Sequence, residues 1–119
     1  MKVAVTGTDE SLDSRVDPRF GRARAFLIFD RDTGRHEFVV NEQNLNAPQG
    51  AGIQAAQLVA EKDVGAVITG NCGPKAFRTL SAAGIEVYTA GDSTVREALD
   101  KLARGELPKA DKANVEGHW

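Results

Sequence analysis

A chain of 119 residues with 41% hydrophobic side chains can bury a single core without disulfide or metal staples. Seventeen acids against 15 Lys and Arg leave a net charge of −2, which excludes the overall basic footprint of a nucleic-acid binder. One cysteine excludes an internal disulfide and an all-cysteine metal cage within the chain.

No apolar stretch approaches the roughly 20 residues of a spanning helix. The first apolar run is too short for a signal peptide, and polar residues follow it at once. These features fit a soluble protein of a reducing, cytoplasmic setting with no membrane partner.

In chain order, "KVAV" at 2–5 is β-branched and is stopped by Thr6-Gly7-Thr8, so it reads as a buried strand. Residues 9–24 carry many charges with Pro18 and Gly21, and read as a loop. "AFLIFD" (25–30) and "HEFVVN" (36–41) flank "RDTGR", a hairpin signal with Gly34 as the positive-φ residue. After a polar turn-rich segment at 44–52, residues 53–62 place Ile53, Ala56, Gln57 and Ala60 at helical spacing. "GAVITG" (65–70) is a strand, apolar on both faces. "PKAFRTLSAA" (74–83) is a helix opened by Pro74 and followed by Gly84. "IEVYTA" (85–90) is the fifth strand, and 92–105 is a third helix capped by Asp92 or Ser93 and ended by Gly105. The domain is expected over 1–107, with 108–119 a polar tail.

This order predicts an α/β fold with a mixed five-stranded sheet, order 3-2-1-4-5, strand 2 antiparallel, and three helices covering its faces. Strands 1, 3, 4 and 5 then share one carboxyl edge. Thr6–Thr8, Arg19–Arg24, Gln49–Gly52, Gly70–Lys75 and Thr89–Gly91 converge there. Ligands of open α/β sheets sit outside that edge where strand order reverses, here between strands 1 and 4. Cys72 is placed on one wall of this crevice.

In "GNCGP" (70–74), the glycines permit a tight turn and Pro74 opens a helix whose free N–H groups attract anions and lower the pKa of a nearby thiol. Cys72 is therefore either a soft thiolate ligand or a small residue filling a turn. Nucleophilic catalysis needs a base, and the chain holds only His36, on the hairpin, and His118, in the tail. Arg19, Arg22 and Arg24 in six residues suit a compact polyanion at the crevice mouth. The plainer reading pairs them with Asp9, Asp13 or Asp17. "GAGIQAA" (50–56) has G-x-G-x-x-A spacing but lacks the acid that a dinucleotide site wants after the next strand. Gly50 and Gly52 then serve close approach to a ligand or tight packing. No paired carboxylates and no zinc spacing are present. His118 becomes a metal ligand only if the tail folds over the crevice; otherwise it belongs to a frayed end. The inventory is that of a binder, not an enzyme.

"KVAV", "SRVDPRFGRARAFLIFD", "GAGIQAAQLVAEKDVGAVITGNCGPKAFRTLSAAGIEVY" and a late "GHW", in that order, resemble the dinitrogenase iron–molybdenum cofactor biosynthesis family, which includes NifX and the C-terminal part of NifB. The resemblance covers nearly the whole chain. It implies a three-layer, ribonuclease H-like fold without nuclease activity, since residues 2–5 supply no acid. It also implies a metal–sulfur cluster held largely non-covalently: a molybdenum–copper sulfide cluster as in free-standing members of this size, or an iron–molybdenum–sulfur precursor. Several relatives read "HFGH" where this chain reads Arg19-Phe20-Gly21-Arg22, so arginines replace candidate histidine ligands. That favours holding an anionic cluster by charge and hydrogen bonds.

The expectation is a non-enzymatic carrier, monomeric or weakly dimeric. Thr6, Gly7, Gly50, Ala51, Gly52, Asn71 and Gly73 would supply backbone or hydroxyl donors. Arg19, Arg22 and Arg24 would form the cationic rim, Gly21 would bind the cluster between them, and Phe20 would shield it. Cys72 and His118 are the metal-ligand candidates. The rival readings are an enzyme or sensor for phosphate-bearing small molecules, and an interaction module with protein partners in cofactor assembly or cell division.

Overall fold

The structure, a computed structural model, describes residues 1–41 and 51–110. Gly50 and His118, both expected in the site, lie outside the described residues. The strands are β1 (Lys2–Gly7), β2 (Ala25–Asp30), β3 (His36–Val40), β4 (Val64–Thr69), β5 (Glu86–Thr89) and β6 (Lys109–Ala110). The helices are α1 (Ala51–Glu61), α2 (Pro74–Ala82) and α3 (Val95–Ala103). The sheet order is β3-β2-β1-β4-β5-β6. β1 pairs antiparallel with β2 and parallel with β4, placing Val5 opposite Leu27 on one side and Ile68 on the other.

The two-residue period of the strands sorts the apolar side chains onto two faces. Val3, Val5, Leu27 and Ile68 meet Val95 and Ala98 of α3, with Val16 from the long loop beside them. Ala4, Phe26, Ile28, Val67 and Val87 meet α1 and α2. α1 packs through Ala51, Gly52, Ala55, Ala56 and Val59, small residues that let its backbone approach closely. That face is turned from the one expected: Gln57 is exposed, and Ile53 and Ala60 are only half-buried. The hairpin forms as expected, with Gly34 at φ +77° donating its N–H to the Asp30 carbonyl (2.8 Å).

Three expectations need correction. The sheet has six strands rather than five, because Tyr88 and Val87 of β5 pair antiparallel with Lys109 and Ala110. Without that pairing the backbone edge of β5 would lack partners; the Thr89 N–H also donates to the Pro108 carbonyl (3.0 Å), and Lys109 bonds Glu86 at 2.5 Å. A two-residue strand has no periodicity to read, and it extends the sheet into the segment set apart as a tail. Second, α3 starts at Val95 with Thr94 as N-cap, not Asp92 or Ser93. Thr94 and Glu97 form a reciprocal capping box, which satisfies two orphan donors at once. The third is the crevice at the carboxyl edge of β1 and β4.

Candidate functional site

The long loop between β1 and β2 runs across the carboxyl ends of the strands. Val16 bridges to Gly7, and Arg19 bridges to Asn71, just past β4. The Asp17 N–H donates to the Thr6 carbonyl (2.9 Å), while the buried Thr6 hydroxyl donates back to the Asp17 carbonyl (2.8 Å). Thr6 Oγ1 also lies 3.0 Å from Thr69 Oγ1, so one polar knot ties β1, β4 and the loop. The crevice expected between β1 and β4 is therefore closed by Val16–Arg19. Gly70 shows how tightly: a Cβ there would lie 2.6 Å from Pro18 Cα.

Beneath this strap the expected site residues separate. Phe20 is fully buried and tilts against Phe26 with ring centroids 5.6 Å apart, so it anchors the loop in the core. Cys72 is 2% exposed within the α1/α2 core. Burial pushes its thiol up to about 12 from 9.0, so it carries its proton at neutral pH. Gly73 is the buried N-cap of α2, which has no side-chain cap.

Above the strap the arginines lie at the surface. Arg19 is exposed and its Nε lies 3.5 Å from Asp17, whose side chain is 5% exposed. Arg24 is exposed and 3.7 Å from Asp9, and Arg22 is half-buried. The plainer pairing of arginines with Asp9 and Asp17 is thus present, and Asp13 pairs with Arg96 instead.

The loop also meets the start of α1. A Cβ added at Gly21 would lie 2.7 Å from the Gly52 nitrogen and 2.8 Å from its Cα, so two glycine backbones touch. Gly52 thereby serves packing against Gly21. Asn71 accepts the Phe20 N–H through its carbonyl (3.2 Å), which brings the start of α2 to the same loop. Arg19–Arg22, Ala51–Gly52 and Asn71–Gly73 are therefore neighbours, as expected. Thr6 and Gly7 are roofed by the strap.

Two residues of this region escaped the sequence reading. Thr69 completes the hydroxyl knot, and Asn41, fully buried, donates to the Gly21 (3.3 Å) and Ala23 (2.9 Å) carbonyls. A polar residue ending an apolar strand was the available signal for Asn41. Asp17, expected to pair with arginine, also accepts the Arg19 backbone N–H at its Oδ1 (2.9 Å) and folds the loop tip. Among the described residues no three His, Cys, Asp or Glu side chains gather as metal ligands. His36 pairs with Phe29 near the far end of β2, away from Cys72.

Residues 1–105 match the model of the dinitrogenase iron–molybdenum cofactor family. The chain belongs to that family. Over 96% of both chains it is 43% identical to the apo form of the orange protein from Desulfovibrio gigas, with a TM-score of 0.92. A candidate NifB protein from Thermotoga matches at 36% identity over 98% of both chains, with a TM-score of 0.86. An uncharacterized protein of Methanocaldococcus jannaschii is 31% identical over 99 residues, 82% of this chain and 84% of that one. Membership of this cofactor family, with these neighbours, supports a role in binding or carrying a cofactor. No described helix is long and apolar enough to cross a membrane.

Proposed function

We propose that this protein is a non-enzymatic, cytoplasmic carrier of a molybdenum-containing metal–sulfide cluster, held at the carboxyl edge of a ribonuclease H-like sheet. The observation that carries this is the meeting of three anion-attracting features. The Arg19–Arg22 loop lies against the first residues of α1 through Gly21 and Gly52, and against the start of α2 through Phe20 and Asn71. Helix N-termini present unpaired N–H groups and a positive dipole end, and guanidinium forks add permanent charge.

The donor set fits an anionic cargo bound without thiolate bonds. Only Nε of Arg19 faces Asp17, and its terminal nitrogens make no other hydrogen bond among the described residues. Cys72, buried and protonated, acts as the small residue that lets the turn into α2 pack. A molybdenum–copper sulfide cargo, or an iron–molybdenum–sulfur precursor, meets these requirements because its sulfides accept hydrogen bonds and its net charge is negative.

The test is to titrate the apo-protein with tetrathiomolybdate and copper, desalt, and record visible absorption. The wild type and Cys72→Ala retain the chromophore, whereas Arg19→Ala with Arg22→Ala loses it. A wild type that emerges colourless overturns the proposal.

A further inference from the structure

Closing the β1/β4 crevice leaves a different depression open on the carboxyl edge. It lies over the ends of β4 and β5, in two joined parts of about 340 Å³ and 460 Å³ that share Gly70, Ala90 and Gly91. Lys101, Thr89 and Glu106 line the larger part, and Asp92 lines the smaller.

Its charges are unevenly matched. Asp92 is bonded by Arg15, and Glu106 is bonded by Arg104 Nε at 2.9 Å. Glu97, one turn before Lys101, commits its carboxylate to the Thr94 N–H (2.9 Å). Lys101 is half-buried as a residue; among the described residues its ammonium makes no hydrogen bond or close ion pair, and the Glu97 carboxylate one turn away acts on it only at a distance. Two more donors in the same wall are open. Among the described residues the Thr89 hydroxyl makes no hydrogen bond and the Gly91 amide has no acceptor. Nothing lies within 4 Å of the position a Cβ would take at Gly91, so its backbone is approachable.

An ammonium, a hydroxyl and an amide lining one depression, with both lining carboxylates already neutralised, call for an anion with several acceptor oxygens. We propose that this trough binds the phosphate group of a small molecule, through Lys101, Thr89 and Gly91, at a site separate from the Arg19–Arg22 loop. Three kinds of donor match the three terminal oxygens of a phosphate better than the two of a carboxylate. The room beside the donors admits a small organic group as well as the free ion.

The probes are inorganic phosphate and glycerol 3-phosphate, titrated into the metal-free full chain at constant ionic strength while backbone amide NMR shifts are followed, with chloride as reference. Saturable shifts at Thr89 and Gly91 are expected. Tighter binding of glycerol 3-phosphate assigns the site to a phosphate ester, and equal or tighter binding of inorganic phosphate assigns it to the free ion. Lys101→Met weakens binding about tenfold or more, since it deletes a charge-assisted bond. Arg19→Ala with Arg22→Ala leaves it unchanged. The proposal is overturned if neither probe shifts these amides beyond chloride, or if Lys101→Met binds as the wild type does. Because no metal is present, the outcome is independent of whether the chain retains a thiomolybdate chromophore.

Discussion

A single methyl group at Gly21 probes whether the arginine loop and α1 are held in rigid contact. In Gly21→Ala the new Cβ would sit 2.7 Å from the Gly52 nitrogen, 2.8 Å from Gly52 Cα and 3.1 Å from the Ala51 carbonyl carbon. Comfortable contact needs about 3.5 Å or more, so the two backbones must part by roughly 0.8 Å. Neither side yields easily. The first turn of α1 is held by buried Ala51, Ala55 and Ala56, and the loop by buried Phe20 and the two Asn41 bonds. Overpacking of this kind costs about 1–3 kcal/mol, offset by about 0.4–1 kcal/mol from the stiffer unfolded chain. The net loss is about 1–2 kcal/mol, or roughly 4–10 °C in Tm for a chain of this size. Urea unfolding followed by circular dichroism reads it as a lower midpoint at unchanged m. Gly91→Ala is the control: its Cβ meets open space, and stability should stay within about 0.5 kcal/mol of wild type. Wild-type stability in Gly21→Ala would show that the contact is soft and that the loop is not fixed by α1.

Asn41→Ala strips the Gly21 and Ala23 carbonyls of a buried donor and should cost about 2 kcal/mol in the same urea assay; a loss below about 0.5 kcal/mol would show that water replaces the amide. Thr94→Ala removes the α3 cap and should cost about 1 kcal/mol at pH 7. Hydrogen bonding from the Thr94 backbone holds the Glu97 carboxyl below its usual 4.5, so its contribution is present above pH 4.5 and lost as pH falls through the lower folded value. The wild-type advantage over Glu97→Ala should therefore shrink between pH 7 and pH 3, and a constant gap would refute the capping box. For Cys72 the sign is reversed. The folded thiol holds its proton to about pH 12 while the unfolded chain loses it near 9.0, so this contribution is complete below pH 9 and falls as pH rises. Wild type should lose stability between pH 8 and 10.5 more steeply than Cys72→Ala, by up to about 1.4 kcal/mol per pH unit. Parallel profiles would place the thiol in solvent.

The elements were legible where a few residues carry the cause. The β-branched "KVAV" run, the "RDTGR" turn and Pro74 at the start of α2 each act within one or two turns of chain, and each appears where expected. The neighbourhood of Arg19–Arg22, Ala51–Gly52 and Asn71–Gly73 followed from strand order. Spacing did not reveal that Phe20 and Cys72 turn inward, because burial depends on what packs above them. Nor did it reveal β6, whose two residues are held by β5 rather than by any pattern of their own.

The amino-acid sequence by itself determined the α/β alternation, the central place of β1, the family, and a cationic loop beside two helix starts. Tertiary structure decided which part of the carboxyl edge stays open. Thr6 joins Asp17 eleven residues away and Thr69 sixty-three residues away, and those bonds seal the strand-reversal point while leaving the trough beside Lys101. Turn chemistry and periodicity act over a few residues, whereas the closure of a crevice depends on hydrogen bonds and packing between segments that only the folded chain brings together.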